Sequence, residues 1–467
     1  MKKSNLLVGL LATASFAMMS FVVYNDYNAM VPDWAFETPD DMPPPGGATP
    51  LGVSDVVTAA QAFKATLSST QITTLQQTYT TTLAKKWSNL PCGSGCRNGI
   101  QLSTLSTTQL AAAKAVMEEA LGAASDAGYE IMNAILAADD YLNANGGGSG
   151  YSSGLYFISF LNEPSTTDAW MLQFGGHHMA FTISFKGGAV IGTTPEMLGV
   201  EPTSFTQDGT AYTPLATRRA VLQTMLAGLS TTELASAQLT STFSDCLMSP
   251  GESNGNTNTM PSTKEGLAVS TLTSAQQTLV MNAIKAWTAD LDSETETALN
   301  TLYENGLSGT YIGWTGSGTS GTASTFLNSN TNYVRIDGPR VWIEFVCQSG
   351  VIFSSQIHYH SVWRDHESDY GNDLNGTALG VSEVVNNTAK AVKIYPNPTS
   401  ETLNLQVEQS LSNATITVYD ASGKAISTTK NVSGTNVNIP VNTLASGNYI
   451  IMVADSKGHF TAKFVKH

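Results

Sequence analysis

Residues 331–363 read TNYVRIDGPRVWIEFVCQSGVIFSSQIHYHSVW. Alternating apolar and polar residues, broken by Gly338-Pro339 and Gly350, mark this stretch as strand-rich. If IHYHSVW is a strand, His358 and His360 share one face and Tyr359 takes the other. Trp342 and Glu344 share a face by the same rule, which puts a charge where desolvation is expected and a partner is needed, Arg364, a metal-bound histidine or a metal. An earlier block, GLYFISFLNEPSTTDAWMLQFGGHHMAFTISFKGGAVI at 154–191, has the same strand-rich character.

Helical segments surround both blocks. LSSTQI at 67–72, LSTTQL at 105–110, LSTTEL at 229–234 and LTSAQQ at 272–277 share one form. In each, a hydroxyl is followed three residues later by Gln or Glu, the arrangement of a capping box. Leu67, Leu105 and Leu229 are placed to staple onto Ile72, Leu110 and Leu234. The recurrence is short and unevenly spaced, so it reads as convergent helix-start chemistry rather than a solenoid. Gly-rich loops at 146–154 and 315–322, and a polar stretch at 249–263, separate the pieces. The expected fold is α+β, helices packed on a largely antiparallel sheet. No Gly-rich phosphate loop precedes a helix.

The 467 residues suffice for one large domain and a small one. A hydrophobic content of 42% supports a real core, and a net charge of −15 with no basic stripe excludes nucleic acid as the expected partner. Lys2 and Lys3 followed by an apolar run from Leu6 to Val23 read as a secretory signal over residues 1–30, with an uncleaved anchor as the competitor. No later segment is apolar enough to span a membrane. Export places the four cysteines in an oxidising compartment. Cys92 and Cys96 are the expected disulfide, and Cys246 and Cys347 are a second candidate pair, although four cysteines allow three connectivities.

Seven histidines occupy few places. His177-His178 and His358, His360 and His366 fall in two short windows, and His459 and His467 lie in the tail. One histidine from the first window joining His358 and His360 would make a three-imidazole site, suited to a divalent transition metal such as Zn, Cu or Fe. On a strand His177 and His178 would face opposite sides, whereas a turn at Gly175-Gly176 would let both reach. Glu163, Asp365, Asp369 and Glu344 are the candidate carboxylates. Glu163 or Asp365 is the expected general base or orienting group, and Arg364 would hold an anionic substrate group. The alternative for Arg364 and Asp365 is a structural ion pair. Trp170, Trp314, Trp342 and Trp363 are core or pocket wall, or else a carbohydrate platform. No G-x-S-x-G and no H-E-x-x-H is present.

After a linker at 379–391, alternating segments such as TLNLQV, ATITVYD and NYIIMVAD predict a small β-sandwich over 392–467. Its YPNP opening, YDASGK turn, LASGNYII and basic KFVKH end closely resemble the type A C-terminal sorting domain of the type IX secretion system. That resemblance implies handling by the type IX machinery of a Bacteroidota-type cell, then release or surface attachment with the tail removed. The body, 31–378, is similar to the DUF3500 family of exported proteins. The similarity is carried by KWSNLP, CRNGIQLSTLSTTQL, FLNEPSTTDAWMLQFGGHHMAF, IGWTG, NYVRIDGPRVWIEF and IHYHSVWRDHESDYGNDL. It implies that His177, His178, His358, His360, Arg364, Asp365, Asp369 and Glu163 occupy motif positions, with His366 an accessory at most. It implies no reaction. The reading is therefore an exported protein with a histidine-rich metal site. It would be a metal-dependent hydrolase or oxidase of an extracellular substrate, or a non-catalytic binding protein for metal, haem or glycan.

Overall fold

The computed structural model describes residues 52–249, 259–316, 325–379, 392–420, 425–455 and 458–467. The expected leader at 1–30 and nearly all of the linker lie outside these residues. The chain divides into two compact units, Met1–Glu383 and Val384–His467.

In the first unit, α1 (Val53–Ala65), α2 (Ser69–Leu75), α3 (Thr107–Ala120) and α4 (Gly128–Leu142) precede β1 (Phe157–Leu161), β2 (Trp170–Gly176), β3 (Met179–Lys186) and β4 (Glu196–Val200). Then α5 (Ala216–Ala227), α6 (Thr231–Ala237), α7 (Ser274–Thr288) and α8 (Ser293–Asn305) precede β5 (Tyr311–Thr315), β6 (Tyr333–Asp337), β7 (Val341–Ser349) and β8 (Ile357–Asp365). These eight strands run antiparallel in the order β1-β2-β3-β4-β8-β7-β6-β5, and four short strands complete a 12-stranded sheet. The fold is the expected α+β. Period-two alternation assigns the faces: Ile343, Phe345, Tyr359 and Trp363 join the core beneath the helices. Trp342, Val346 and Val362 pack on the opposite face with Trp87, Leu239, Cys246 and Met248 from covering loops.

All four capping boxes form. Ser68, Ser106, Ser230 and Thr273 accept from the N–H of Gln71, Gln109, Glu233 and Gln276, whose side chains return to the cap N–H. Each such cap stabilises its helix by about 1 kcal/mol. Their recurrence is part of a larger one. The helices α1 and α2, of 13 and 7 residues, are matched by α5 and α6, of 12 and 7. A short strand, a 3-10 turn and a capped helix recur at Ile100–Ala120 and at Leu267–Thr288, each followed by a second helix and a four-strand meander. Even the parallel contacts repeat, Gln76 with Phe160 and Gln238 with Trp314. The same order of elements thus runs twice through the unit, in two halves that meet where β4 pairs with β8 over Glu196–Val200 and Tyr359–Trp363.

Buried charge spans the same seam. Arg218 on α5 is fully enclosed, with Nη1 3.0 Å from Glu196 of β4, Nη2 on Asp290, and its guanidinium 5.1 Å from the centre of the Trp287 ring. Asp290 also accepts from the N–H of Gly128 at the start of α4, at 2.7 Å, and Trp287 donates to Ser361 of β8 at 2.9 Å. Two carboxylates thus share one cation. Burial first, and then the Asp290 charge, push the Glu196 pKa well above the usual carboxyl value.

The second unit holds β9 (Val392–Tyr395), β10 (Thr402–Asp420), β11 (Ala425–Pro440), β12 (Gly447–Asp455) and β13 (Gly458–Lys466). They form a five-stranded antiparallel sheet, ordered β9-β10-β12-β13 with β11 also on β10. Leu403, Leu405, Ile416, Val418, Ile451 and Val453 fill the core of this small sandwich. No helix among the described residues is long and apolar enough to cross a membrane. Cys92 and Cys96 form the expected disulfide. Cys246 and Cys347 do not pair. They are buried free thiols, and the sheet separates them, because Cys347 faces the helices and Cys246 the covering loops.

Replacing Arg218 by Met strands two carboxylates across the seam, so a loss of about 3–5 kcal/mol is expected in urea unfolding. Glu196→Gln is expected to cost less than Arg218→Met, since the amide oxygen can still accept from the guanidinium. Above about pH 4.3 the unfolded chain sheds a proton that folded Glu196 retains, so stability falls as pH rises toward the folded pKa. Glu196→Gln should remove that slope, which unfolding curves between pH 4 and 8 would register.

Candidate metal centre

His177 and His178 are the two residues of the turn between β2 and β3, across which Gly176 pairs with Met179. The glycines before them are required by close approach. A Cβ on Gly176 would lie 2.4 Å from the Tyr156 ring, and one on Gly175 2.6 Å from the Met179 carbonyl. A turn, rather than a continuous strand, lets both imidazoles reach the same region. Arg97, beside the Cys92–Cys96 disulfide, donates to the Gly176 carbonyl at 2.6 Å and fixes the turn from below.

The other pair arrives across the seam. His358 and His360 project from β8 on one face, and their Nε2 atoms are 2.8 Å apart. Gly199 of β4 stands opposite His360, where a Cβ would meet the ring Cδ2 at 2.8 Å, so only glycine leaves that imidazole its place. The His178 ring centre lies 3.6 Å from that of His177, 5.2 Å from that of His358 and 5.4 Å from that of His360. All four are buried, at 8, 4, 3 and 5% exposure for His177, His178, His358 and His360.

The hydrogen bonds around this cluster fix its protons. His360 Nδ1 lies 2.8 Å from Asp245 Oδ1. Part-burial works against the Asp245 charge, but His360 and the Cys246 N–H hold its pKa below the ordinary carboxylate value, so it accepts. His358 Nδ1 lies 3.3 Å from the Ser349 carbonyl, which can only accept. Both Nδ1 atoms therefore carry hydrogen, and with both rings neutral two Nε2 lone pairs confront each other at 2.8 Å. The three contacts need three positive hydrogens or their equivalent, and two neutral rings supply two. Burial and then His360 push the His358 pKa down to about 3, so a third proton on that ring is disfavoured, and burial and then His177 push that of His178 well below 6.5. Among the described residues neither ring nitrogen of His178 has a hydrogen-bond partner.

Two ligand sets emerge, each with its donor atoms within 4.8 Å of one another: His178, His358 and His360, and Asp139, His177 and His178. Asp139, on α4, holds His177 Nδ1 at 2.9 Å. Asp139 and Asp245 were not singled out in the sequence. Asp139 does leave a signal, a carboxylate on the same helical stripe as buried Ile135, Leu136 and Leu142. Asp245, in a covering loop, leaves none.

The remaining sequence candidates do not reach the cluster. Glu163 is half exposed and bonded to Lys64 and Gln61 of α1. Arg364 lies four residues beyond His360, roughly 13 Å along the strand. It pairs with Asp369 at 2.8 Å and stacks on Tyr370. Asp365 points to the helix side and accepts from Tyr303 at 3.1 Å, Arg340 at 3.2 Å and the N–H groups of Glu367 and Ser368. His366 is 3.7 Å from Asp337, also apart. The four tryptophans are buried core residues and offer no exposed platform. Glu344 takes neutral donors, and not Arg364 or a histidine, as its hydrogen-bond partners. It accepts from Tyr333 at 2.7 Å, Trp342 at 2.8 Å, and the backbone N–H of Leu247 at 2.6 Å and Met248 at 2.8 Å. It thereby anchors the loop that delivers Asp245 to His360. Glu344→Ala orphans four donors, and a loss of about 2–4 kcal/mol is expected, with faster hydrogen exchange at the Leu247 and Met248 amides.

Residues 393–467 match the secretion system C-terminal sorting domain. The chain is accordingly a substrate of type IX secretion, bound for the cell surface or the extracellular space. No curated protein matches it. Residues 50–372 match the family described as protein of unknown function (DUF3500), which takes in every residue of the histidine cluster and both of its carboxylates, and the chain belongs to that family.

Proposed function

We propose that this is an exported metalloprotein whose body binds one transition-metal ion, Zn, Cu or Fe, through His178, His358 and His360. The observation that carries the reading is the convergence of His358 and His360, whose Nε2 atoms stand 2.8 Å apart with both Nδ1 atoms already held by acceptors, so that a cation is needed between them. A metal ion meets that need, and the Asp245 carboxylate and Ser349 carbonyl are the outer partners that metal-ligating histidines normally have. Imidazole-rich sets suit these three metals.

Three protein ligands leave a position for water or substrate, which favours a metal-dependent hydrolase or oxidase acting on an extracellular small molecule or polymer. The near-complete burial of the four rings favours the second reading, a binding protein that holds its metal without turnover. Either would act outside the cell, released or surface-attached.

Elemental analysis of the tag-free protein, equilibrated with limiting Zn, Cu and Fe, tests the core of the proposal. Near-stoichiometric metal is expected, and it should vanish in the His358→Ala/His360→Ala double variant; a folded wild type without metal refutes the site. Addition of azide to the Co(II)-substituted protein then separates the two readings, since a changed visible spectrum requires an exchangeable position. Asp245→Asn is expected to weaken metal binding about 10–100-fold. Gly199→Ala should displace the His360 ring, costing about 1–3 kcal/mol of stability as well as metal affinity.

A further inference from the structure

His358 and His360 each have an acceptor for the nitrogen turned away from the proposed metal. His178 does not: neither of its ring nitrogens has a hydrogen-bond partner among the described residues, in a residue 4% exposed. His177, whose ring centre is 3.6 Å from that of His178, and Asp139 make a second set with it, their donor atoms within 4.8 Å of one another. Asp139 is fully buried, and its Oδ1 is occupied by His177 at 2.9 Å. Its Oδ2 makes no hydrogen bond of standard geometry, with the buried Tyr156 hydroxyl as its neighbour. A buried carboxylate oxygen left unpaired beside an imidazole that makes no hydrogen bond is the inventory of a cation-binding position.

We propose that Asp139, His177 and the second ring nitrogen of His178 hold a second transition-metal ion, so that His178 bridges two ions. This rests on the metal reading given above. The ligand chemistry is that of a borderline divalent cation, two imidazoles and a carboxylate oxygen, with the turn between β2 and β3 supplying both imidazoles. Bridging uses both nitrogens of His178, so the ring proton leaves for solvent as the second ion binds. His177 turns from a hydrogen-bond donor to Asp139 into a ligand, and its Nδ1 proton leaves too if that nitrogen coordinates.

The test is a Cu(II) titration of the full chain followed by electron paramagnetic resonance. Two coppers per chain are expected, with a mononuclear signal that grows to one equivalent and then shrinks as the bridged pair couples magnetically. Asp139→Asn and His177→Ala are each expected to stop at one copper and keep the uncoupled signal. Saturation of the wild type at one copper overturns the second position while leaving the first intact. Two coppers whose signals stay additive, or two retained in the folded variants, overturn it as well. No bound copper at all overturns the second position, and the elemental analysis with Zn, Cu and Fe then decides the first on its own. If one variant fails to fold by circular dichroism, the wild-type stoichiometry and coupling still decide.

Discussion

The ladder between Glu196–Val200 and Tyr359–Trp363 is the contact on which the rest of the body depends. Each half of the unit ends in a meander whose last strand would be an open edge, and pairing β4 with β8 closes both edges against each other. The Arg218 cluster crosses beneath this ladder, joining β4, α4, α5 and the end of α7. The histidines cross above its other face. Backbone pairing, buried charge and candidate site therefore occupy one line through the molecule. Gly199 shows how tightly they are linked, because it is at once a ladder residue and the space in which His360 sits.

Much of this was legible in the sequence. Periodicity exposed the strands, the hydroxyl-to-Gln/Glu spacing marked four helix starts to the residue, and the placement of histidines in two windows pointed to one cluster. What was hidden is long-range. Asp139 meets a histidine 38 residues away and Asp245 one 115 residues away, and no local pattern encodes either contact. Glu344 was visible as a buried charge, but its partners are backbone amides, which every residue possesses and no sequence advertises. Arg364 and Asp365 sit beside the histidines in the chain and far from them along the strand, since an extended backbone separates neighbours quickly. The repeated order escaped because the shared feature is an order of elements, with only the caps shared as letters.

The two halves differ in how they use equivalent places. Asp139 lies on the second long helix of the first half and pairs with a residue of the β2–β3 turn. Tyr303 lies on the second long helix of the other half, and the Asp365 it reaches also holds Arg340, beside the β6–β7 turn. One position carries imidazole and carboxylate with valences unfilled; its counterpart carries an arginine, a tyrosine and a carboxylate that fill one another. The same scaffold position is thus closed by internal salt chemistry in one half and left open in the other.

Division of the candidate ligands between halves has a consequence for the life of an exported chain. His177, His178 and Asp139 belong to the first half, His358, His360 and Asp245 to the second, so the full donor set exists only after the seam has closed. A partly folded chain presents two incomplete half-sites with weak hold on any ion. Mass action then makes an ion held there a rivet for the assembled protein, stabilising it in proportion to the logarithm of its free concentration. The environment beyond the cell envelope, and not the compartment of synthesis, would set how firmly the two halves stay joined.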